Sequence, residues 1–370
     1  MSAPRASRRV LVVGGGVAGA TAATLLGRAG NEVTLVERDQ HRRSSGSPVD
    51  VRGSAVPVVR RLGLEERLRA LDTGVTRLEF VDGRGRVRAR AAVRRSSETD
   101  LELGRSALTG VLLEAAAEVA KVRFDTSPRA LVQDEGGVEV TFEGGGTSRY
   151  DLVVGADGQH SRTRALVLGP EPGFTAPVGL GIATVPVDAS LVDDPRTVRL
   201  HNVPGASLGI HPAGGHPVCA FIFRTDASAP PRSHEDQVAM VEHRYRSAGW
   251  RSAEMLQQLA AADDVYLDVV QRVAVPSWSR GRVVLLGDAA SSITILGEGC
   301  SMAIAGAAVL ADALAATPDT AAALADYERT HRPEVEQKQR GARLGAAVLV
   351  PRTAAGIALR DLAVALARRV

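Results

Sequence analysis

The stretch Arg9 to Arg38 constrains the fold more than any other part of the chain. Val10, Leu11, Val12 and Val13 form a short apolar run, the pattern of a strand buried on both faces. Gly14, Gly16 and Gly19 follow in G-x-G-x-x-G spacing, Ala20 to Gly27 read as a helix of small residues, and Glu32 to Val36 form a second apolar strand. That strand ends at Glu37, 23 residues after Gly14, close to the roughly 20 expected for a ribose-binding acid. Gly14 permits the tight turn, Gly16 lets backbone approach a pyrophosphate, and Gly19 lets helix and strand sit close. The helix start, with Val17 and Ala18, offers unpaired N–H groups and a positive dipole end to phosphates. Glu37 suits ribose hydroxyls, and its charge would repel a 2′-phosphate. A glycine triplet alone says little; with a strand before it, a helix after it and an acid closing the next strand, it predicts a dinucleotide site. This unit fits FAD and NAD alike.

A chain of 370 residues has room for two domains or one large domain with insertions. Hydrophobic content of 45% and charged content of 24% are those of an ordinary globular enzyme. The net charge of +3 comes from scattered arginines and aromatics are only 3%, which argues against a nucleic-acid platform. Two cysteines, Cys219 and Cys300, supply neither a disulfide framework nor a zinc cluster, so no metal is expected. The first twenty residues mimic a signal peptide, but the glycine fingerprint occupies the supposed cleavage region. No apolar run reads as a membrane span, and a cytoplasmic location is expected.

Further along, Val56 to Ala70 has helical periodicity, and Leu78 to Val81 with Arg86 to Ala91 reads as a hairpin around Gly83 and Gly85. Arg105 opens a helix, and strands follow at Val122 to Asp125, Ala130 to Asp134, Val138 to Glu143 and Leu152 to Val154. From Gly173 the texture changes to alternating strands with Pro- and Gly-rich turns, interrupted by helices at Glu235 to Ala248 and Ala253 to Ala261. At Arg282 an apolar strand returns, then GDAA, then an Ala-rich helix from Ser301, then a helical tail with Pro333 and Pro351 as breakers. The fold class expected is α/β: a Rossmann-like nucleotide-binding domain over residues 1–172 (lending strands near 76–103 to its neighbour), a mixed β-sheet substrate domain over 173–276, and the rest of the first domain with C-terminal helices over 277–370.

Three separated signals combine: the fingerprint with Glu37; Asp157-Gly158 after an apolar strand, with Arg162 and Arg164 behind; and Gly287-Asp288 after another, followed by Gly297, Gly299 and a small-residue helix. With Arg105 in an L-x-R-x-x-L setting, VDVRG at Val49 to Gly53, and the run VYLDVVQRVAVPSWSRGRVVLLGDAA, the chain resembles the single-component FAD-dependent aromatic hydroxylases. These share the para-hydroxybenzoate-hydroxylase fold, and the nearest branch is that of the tetracycline-modifying and polyketide-tailoring monooxygenases. The resemblance implies roles. Glu37 would hold the adenosine ribose and Arg38 would flank the adenine. Arg43 and Asp50 would lie along the cofactor toward the isoalloxazine. Arg105 would meet the pyrophosphate or ribityl region, Asp157 would buttress the cofactor, and Asp288, after Gly287, would bond the ribityl chain. Amides of Gly299 and Cys300 at a helix start would face the flavin pyrimidine ring, where a positive dipole end favours the reduced anion.

The function so implied is an FAD-dependent monooxygenase of secondary metabolism. It would consume NADPH or NADH and molecular oxygen, and hydroxylate or oxygenate an aromatic or polycyclic small molecule through a flavin C4a-hydroperoxide. No side chain is singled out as an acid–base catalyst, because the cofactor carries the chemistry. His201, His211 and Phe221, on strands of the second domain, are the candidates for substrate contact, although a structural role suits both histidines better. His160 reads as a surface residue and Trp278 as a packing residue. A monomer or homodimer is expected. The segment Ala289 to Leu296 lacks the prolines usual in this family, and Ser44 to Ser47 replace a common glycine pair. That motivates a second reading, an FAD-dependent dehydrogenase or reductase on the same fold without oxygen insertion.

Overall fold

The computed structural model describes residues 7–40, 47–93, 97–262, 265–292 and 298–367. Its centre is a six-stranded sheet in the order Ser279–Arg280, Val283–Leu285, Leu152–Gly155, Arg9–Val13, Glu32–Val36 and Ala120–Arg123. Neighbours are parallel except the first pair. The apolar run of the first strand is divided between two cores, as its period of two requires. Val10 and Val12 face the helices Val17–Arg28, Arg105–Ala117 and Gly299–Ala316. Leu11 and Val13 face Val138, Val140, Phe142 and Tyr150. Those four belong to a three-stranded antiparallel sheet of Pro128–Asp134, Gly137–Phe142 and Thr147–Tyr150, which covers the side where a second helical layer would otherwise lie. The strand order reverses at Arg9–Val13, and a ligand cleft is expected at the carboxyl ends of strands at such a switch point.

A seven-stranded sheet forms the second unit, in the order Tyr266–Val273, Thr175–Pro186, Val218–Arg224, Ala206–His211, Thr197–Val203, Arg77–Val81 and Val87–Ala92. The Arg77–Val81 hairpin thus pairs with a strand about 120 residues later, parallel to it. One face packs Leu208, Ile210, Phe221 and Phe223 against Val241, Tyr245, Met255 and Leu259 of the helices His234–Tyr245 and Ser252–Ala261. Leu101–Leu103 pairs with Val49–Val51 in a separate two-stranded ribbon and does not join the larger sheet.

Three local expectations are corrected. The periodic segment 56–70 is two short helices, Ala55–Arg61 and Glu65–Arg69, because Gly63 between them has φ +69, a left-handed turn that ends a helix. Pro333 does not break the tail: it lies inside the helix Thr320–Leu349. Tyr327, His331 and Val335, all buried, hold both sides of the proline in the core, so tertiary packing offsets the lost backbone bond. Only after Leu349 does the chain turn, past Pro351, into Ala354–Ala367. The third concerns length and apolarity alone. Gly299–Ala316 is long and apolar enough to cross a membrane, with mean hydropathy 1.7 over 18 residues, but 67% of that window is buried inside the fold, which makes it a core helix. Trp278 packs on the tail helix, its ring 5.4 Å from Tyr327 and 5.9 Å from His331.

Candidate active site

Close packing of small residues brings the three sequence signals to one place. A Cβ on Gly14 (φ +107) would lie 2.5 Å from the Ala156 carbonyl oxygen and 2.9 Å from the Asp157 Cα. A Cβ on Gly287 (φ +61) would lie 2.9 Å from the Ala18 Cβ and 3.6 Å from the Ala303 Cβ. The fingerprint turn therefore sits against the Asp157 segment. The Gly287 turn sits between the first helix and the Ala-rich helix. Gly16 differs: a Cβ there meets nothing within 4 Å, and Gly16 is exposed while Gly14, Gly15 and residues 17–20 are buried. Its lack of a side chain serves something outside the chain's own packing. The helix it opens has no side-chain cap and no acid in its first turn, which leaves the amides after Gly16 available to an anion.

Glu37 closes the neighbouring strand as expected. Its Oε2 accepts from the Gly15 N–H at 2.7 Å and its Oε1 from the Asp39 N–H at 3.0 Å. Each oxygen keeps a lone pair for a hydroxyl, and the carboxylate is fixed beside the glycine turn. Arg38 is exposed and lies 3.7 Å from Asp39. Arg43 and the segment Ser44 to Gly46 lie outside the described residues, as does Ile293 to Gly297, most of the proline-free loop.

Asp157 spends its carboxylate locally. It accepts from Ser161 Oγ at 2.5 Å, from the Thr163 N–H at 2.8 Å and from Thr163 Oγ1 at 3.0 Å. Those bonds set the turn that opens Arg162–Leu168 and orient Arg164. Arg164 is fully buried; it donates to the Gln159 carbonyl at 2.8 Å and to the Ala289 carbonyl at 3.0 Å. Burial pulls its guanidinium below the ordinary value, against the opposing charges of Glu171 and Asp157. It links the second signal to the third. Asp157-Gly158 draws attention to the turn, but no spacing in the sequence shows that Arg164 reaches residue 289.

Asp288 accepts no hydrogen bond from the described residues, and one of its oxygens lies 4.0 Å from where a Gly299 Cβ would stand. Burial pushes its carboxyl above the usual range, opposed by Arg105 and reinforced by Asp268. Arg105, at the start of its helix, keeps an exposed side chain whose charged end is crowded by protein and flanked by protein charge. Burial acts to lower its guanidinium, while Cys300, Tyr266 and Asp288 together raise it. Burial pushes the Cys300 thiol up to about 11, so it stays protonated and is no nucleophile at neutral pH. The helix Gly299–Ala316 also starts without a side-chain cap or a first-turn acid. Ser301, which sequence reasoning missed, accepts from the Arg52 N–H at 3.0 Å and donates to the Asp50 carbonyl at 2.8 Å, pinning the VDVRG strand to that helix start. Asp50 itself pairs with Arg52; burial raises its carboxyl, Arg52 lowers it, and Glu102 and Glu298 raise it.

The three substrate candidates separate onto two faces of the seven-stranded sheet. Register places His201, Leu208 and Phe221 in one row, and that row faces the helices. His201 is 4% exposed, with Nδ1 3.0 Å from the Val81 carbonyl and Nε2 2.6 Å from the Ala248 carbonyl. Phe221 is fully buried with its ring 5.0 Å from Tyr245. Both are core residues turned away from the cleft. The opposite face carries Leu200, Gly209, Ala220, Thr184 and Tyr266 in the next row, with His211 at its edge. Tyr266 is within electrostatic reach of Arg105, and Asp268 is hydrogen-bonded by Gln159, so this face looks onto the nucleotide-binding unit. A Cβ on Gly209 would lie 2.7 Å from Leu200 Cδ2, which shows why that wall is flat. His160 bridges the units, 2.8 Å from Glu171 and 3.2 Å from Asp268. Its bond to Asp268 leads the causes that raise the imidazole to about 9 against burial. Among the described residues no three His, Cys, Asp or Glu side chains could hold a metal ion.

An uncapped helix start beside a glycine with free space above it, a carboxylate that accepts no hydrogen bond from the described residues and an arginine close to it are a donor and acceptor set suited to pyrophosphate, ribityl chain and ribose. They fit a flavin dinucleotide. The comparisons agree. The FAD binding domain family matches residues 7–342. An uncharacterised protein of Mycobacterium tuberculosis is 35% identical over 344 residues, covering 90% of this chain and 92% of that protein. An FAD-dependent monooxygenase of Sarocladium schorii is 34% identical over 373 residues, covering 90% and 86%. The crystal structure of a tetracycline destructase superimposes with a TM-score of 0.85 at 27% identity, covering 97% of this chain and 95% of that one. The chain belongs to the FAD-binding flavoenzymes of the para-hydroxybenzoate-hydroxylase fold, and within them it is an FAD-dependent monooxygenase.

Proposed function

We propose that this protein uses NADH or NADPH and molecular oxygen to hydroxylate a planar, electron-rich polycyclic molecule of the polyketide kind. The observation that carries the reading is the wall of Leu200, Gly209, Ala220 and Thr184, three of them small, on the sheet face from which Tyr266 and Asp268 reach toward Arg105 and Asp288. A flat wall admits fused rings lying parallel to it. A tetracycline destructase shares the fold over nearly its whole length, and a relative in Sarocladium schorii is a monooxygenase, which supports the same chemical class.

Bound FAD supplies hydride acceptance from the reduced nicotinamide and oxygen activation. The chain's own groups do the rest. Amides at the first helix start, with Gly16 leaving room, take the pyrophosphate; Glu37 takes the ribose; Asp288 and Arg105 take the ribityl region. The start of Gly299–Ala316 would present a positive dipole end to the bound flavin and so favour negative charge there. Asp157 acts through Ser161, Thr163 and Arg164 to hold the Ala289 turn, as a positioning residue. The sheet roofs the cleft and keeps water from the reacting centre.

The test is a screen of hydroxylated polycyclic compounds, tetracycline included, for acceleration of NADH and NADPH oxidation, with product mass read under heavy oxygen gas. A product heavier by one labelled oxygen atom is the expected result. Turnover with no label in the product would establish the dehydrogenase reading instead, and no acceleration by any compound would overturn the substrate class.

A further inference from the structure

The ribbon of Val49–Val51 and Leu101–Leu103 turns its four apolar side chains into the core. Its two middle residues, Asp50 and Glu102, are cross-strand partners on the other side. Glu102 is where this ribbon meets the substrate sheet. His211, from the end of Ala206–His211, places Nε2 3.2 Å from Glu102 Oε2, and Thr73 Oγ1 donates to the same oxygen at 2.6 Å. The His211 tautomer is fixed by the turn that follows it. Its Nδ1 accepts from the Ala213 N–H at 2.9 Å, so the ring proton sits on Nε2, on the Glu102 side of the ring but outside hydrogen-bond geometry. Ala213 holds a left-handed φ of +45, a strained backbone that persists where its surroundings over-determine it. Thr73 thus donates to Oε2 with the His211 ring beside it, while Oε1 accepts nothing from the described residues. The side chain is neither sealed nor free, at 20% exposure.

The charges around it are Asp50 across the ribbon, Asp72 on the adjoining turn and His211, with Arg52 and Glu298 facing Asp50. Burial acts to raise the Glu102 carboxyl and Asp72 adds to that, but His211 and Thr73 bring it below its ordinary value. Asp50 is pushed the other way. Neighbouring carboxyls driven apart in this manner take different parts in a site, and Glu102 is the one whose surroundings favour its charge.

We propose that Glu102 is a substrate-binding residue, whose free Oε1 accepts a hydrogen bond from a phenolic or enolic hydroxyl of the polycyclic substrate, with His211 and Thr73 as its positioning residues. The inference rests on the monooxygenase reading above and names the group on the substrate that is recognised. A carboxylic acid is far stronger than a phenol, so the proton stays on the substrate oxygen. That charge-assisted bond loads electron density onto the oxygen and through it onto the ring, which favours attack by an electrophilic oxygen species. A substrate lacking the hydroxyl leaves a part-buried carboxylate oxygen unmatched, which a site of this kind rejects.

The experiment uses the FAD-saturated protein with emodin and its trimethyl ether, and tetracycline as a third probe, reading NAD(P)H oxidation. The wild type is expected to favour emodin over the ether about 10- to 100-fold in kcat/KM, the weight of one bond to a charged group. Glu102→Gln is expected to shrink that ratio at least several-fold while FAD content and thermal midpoint hold. Thr73→Val removes one donor to the ionised carboxylate, so the acid limb of the kcat/KM profile is expected to move to higher pH, which a purely structural role would not do. Equal turnover of emodin and its ether by the wild type, an unchanged ratio in Glu102→Gln, or an acid limb unmoved in Thr73→Val overturns the inference and leaves the monooxygenase reading standing. If none of the three probes accelerates NAD(P)H oxidation, the polycyclic substrate class falls, and this inference falls with it.

Discussion

Replacing Gly16 by alanine separates the fold from the cofactor. The backbone at Gly16, φ −74 and ψ −173, suits any L-residue. The added methyl meets no atom of the chain within 4 Å. Two small terms then act on the apoprotein. The variant's unfolded chain has less entropy to lose, stabilising by about 0.4–1 kcal/mol, and alanine is a poorer helix N-cap than glycine by a similar amount. The apoprotein should therefore unfold within about 1 kcal/mol of wild type. FAD binding has no such freedom in the proposed site, where the methyl would occupy the approach of the pyrophosphate. Overpacking of a close contact costs about 1–3 kcal/mol, or roughly 5- to 150-fold in affinity. Gly19→Ala is the contrast: its methyl would fall deep inside the van der Waals radius of the Gly14 carbonyl oxygen, backbone against backbone, and should cost the apoprotein more than about 3 kcal/mol. The assay is urea unfolding of flavin-stripped protein followed by FAD titration through flavin fluorescence. Retention of FAD within threefold of wild type by Gly16→Ala, or loss of several kcal/mol from its apoprotein, would refute the placement of the phosphates.

Asp288→Ala should leave apoprotein stability unchanged or slightly raised, since burial disfavours its charge and the described residues give it no hydrogen bond; FAD affinity should fall about 10-fold or more, read by the same titration. Arg164→Met should cost about 2–4 kcal/mol in a urea melt, because the Gln159 and Ala289 carbonyls lose buried donors. His160, raised to about 9, stabilises the fold fully below its unfolded value near 6.5, and that contribution disappears as pH rises through 9. Wild type should therefore exceed His160→Gln in urea midpoint at pH 6 and match it at pH 10, by no more than about 1 kcal/mol at this half-exposed, solvent-screened pair. Equal differences at both pH values would show that His160 acts without its charge.

The parts of the site that could be read in advance are those whose chemistry is carried by backbone. Gly14, Gly16, Gly19 and Glu37 form a unit because one strand, one turn and one helix are local in the chain, and the spacing alone fixes their geometry. The strand Val283–Leu285, the Gly287-Asp288 turn and the helix opening near Gly299 were legible as elements for the same reason. Side chains on the seven-stranded sheet were not. His201 and His211 sit on adjacent, paired strands and look equivalent in the sequence, yet register turns the first toward the helices and the second toward the cleft, and a shift of one residue would exchange them. Phe221 carried no signal of its face either. Pro333 carried a misleading one, since a local rule about proline yields to a helix packed on its buried side.

The dinucleotide-binding class, and the order of strand, glycine turn, helix and closing acid from Arg9 to Glu37, were determined by sequence, because a turn that must admit a phosphate tolerates few residues. How distant parts of the chain are joined was decided by tertiary structure. Arg164 reaching residue 289, Ser301 pinning residues 50 and 52, and Glu102 held between Thr73 and His211 each join positions far apart in the chain. No local periodicity encodes such pairs; they exist only once two sheets have folded and their facing sides have met.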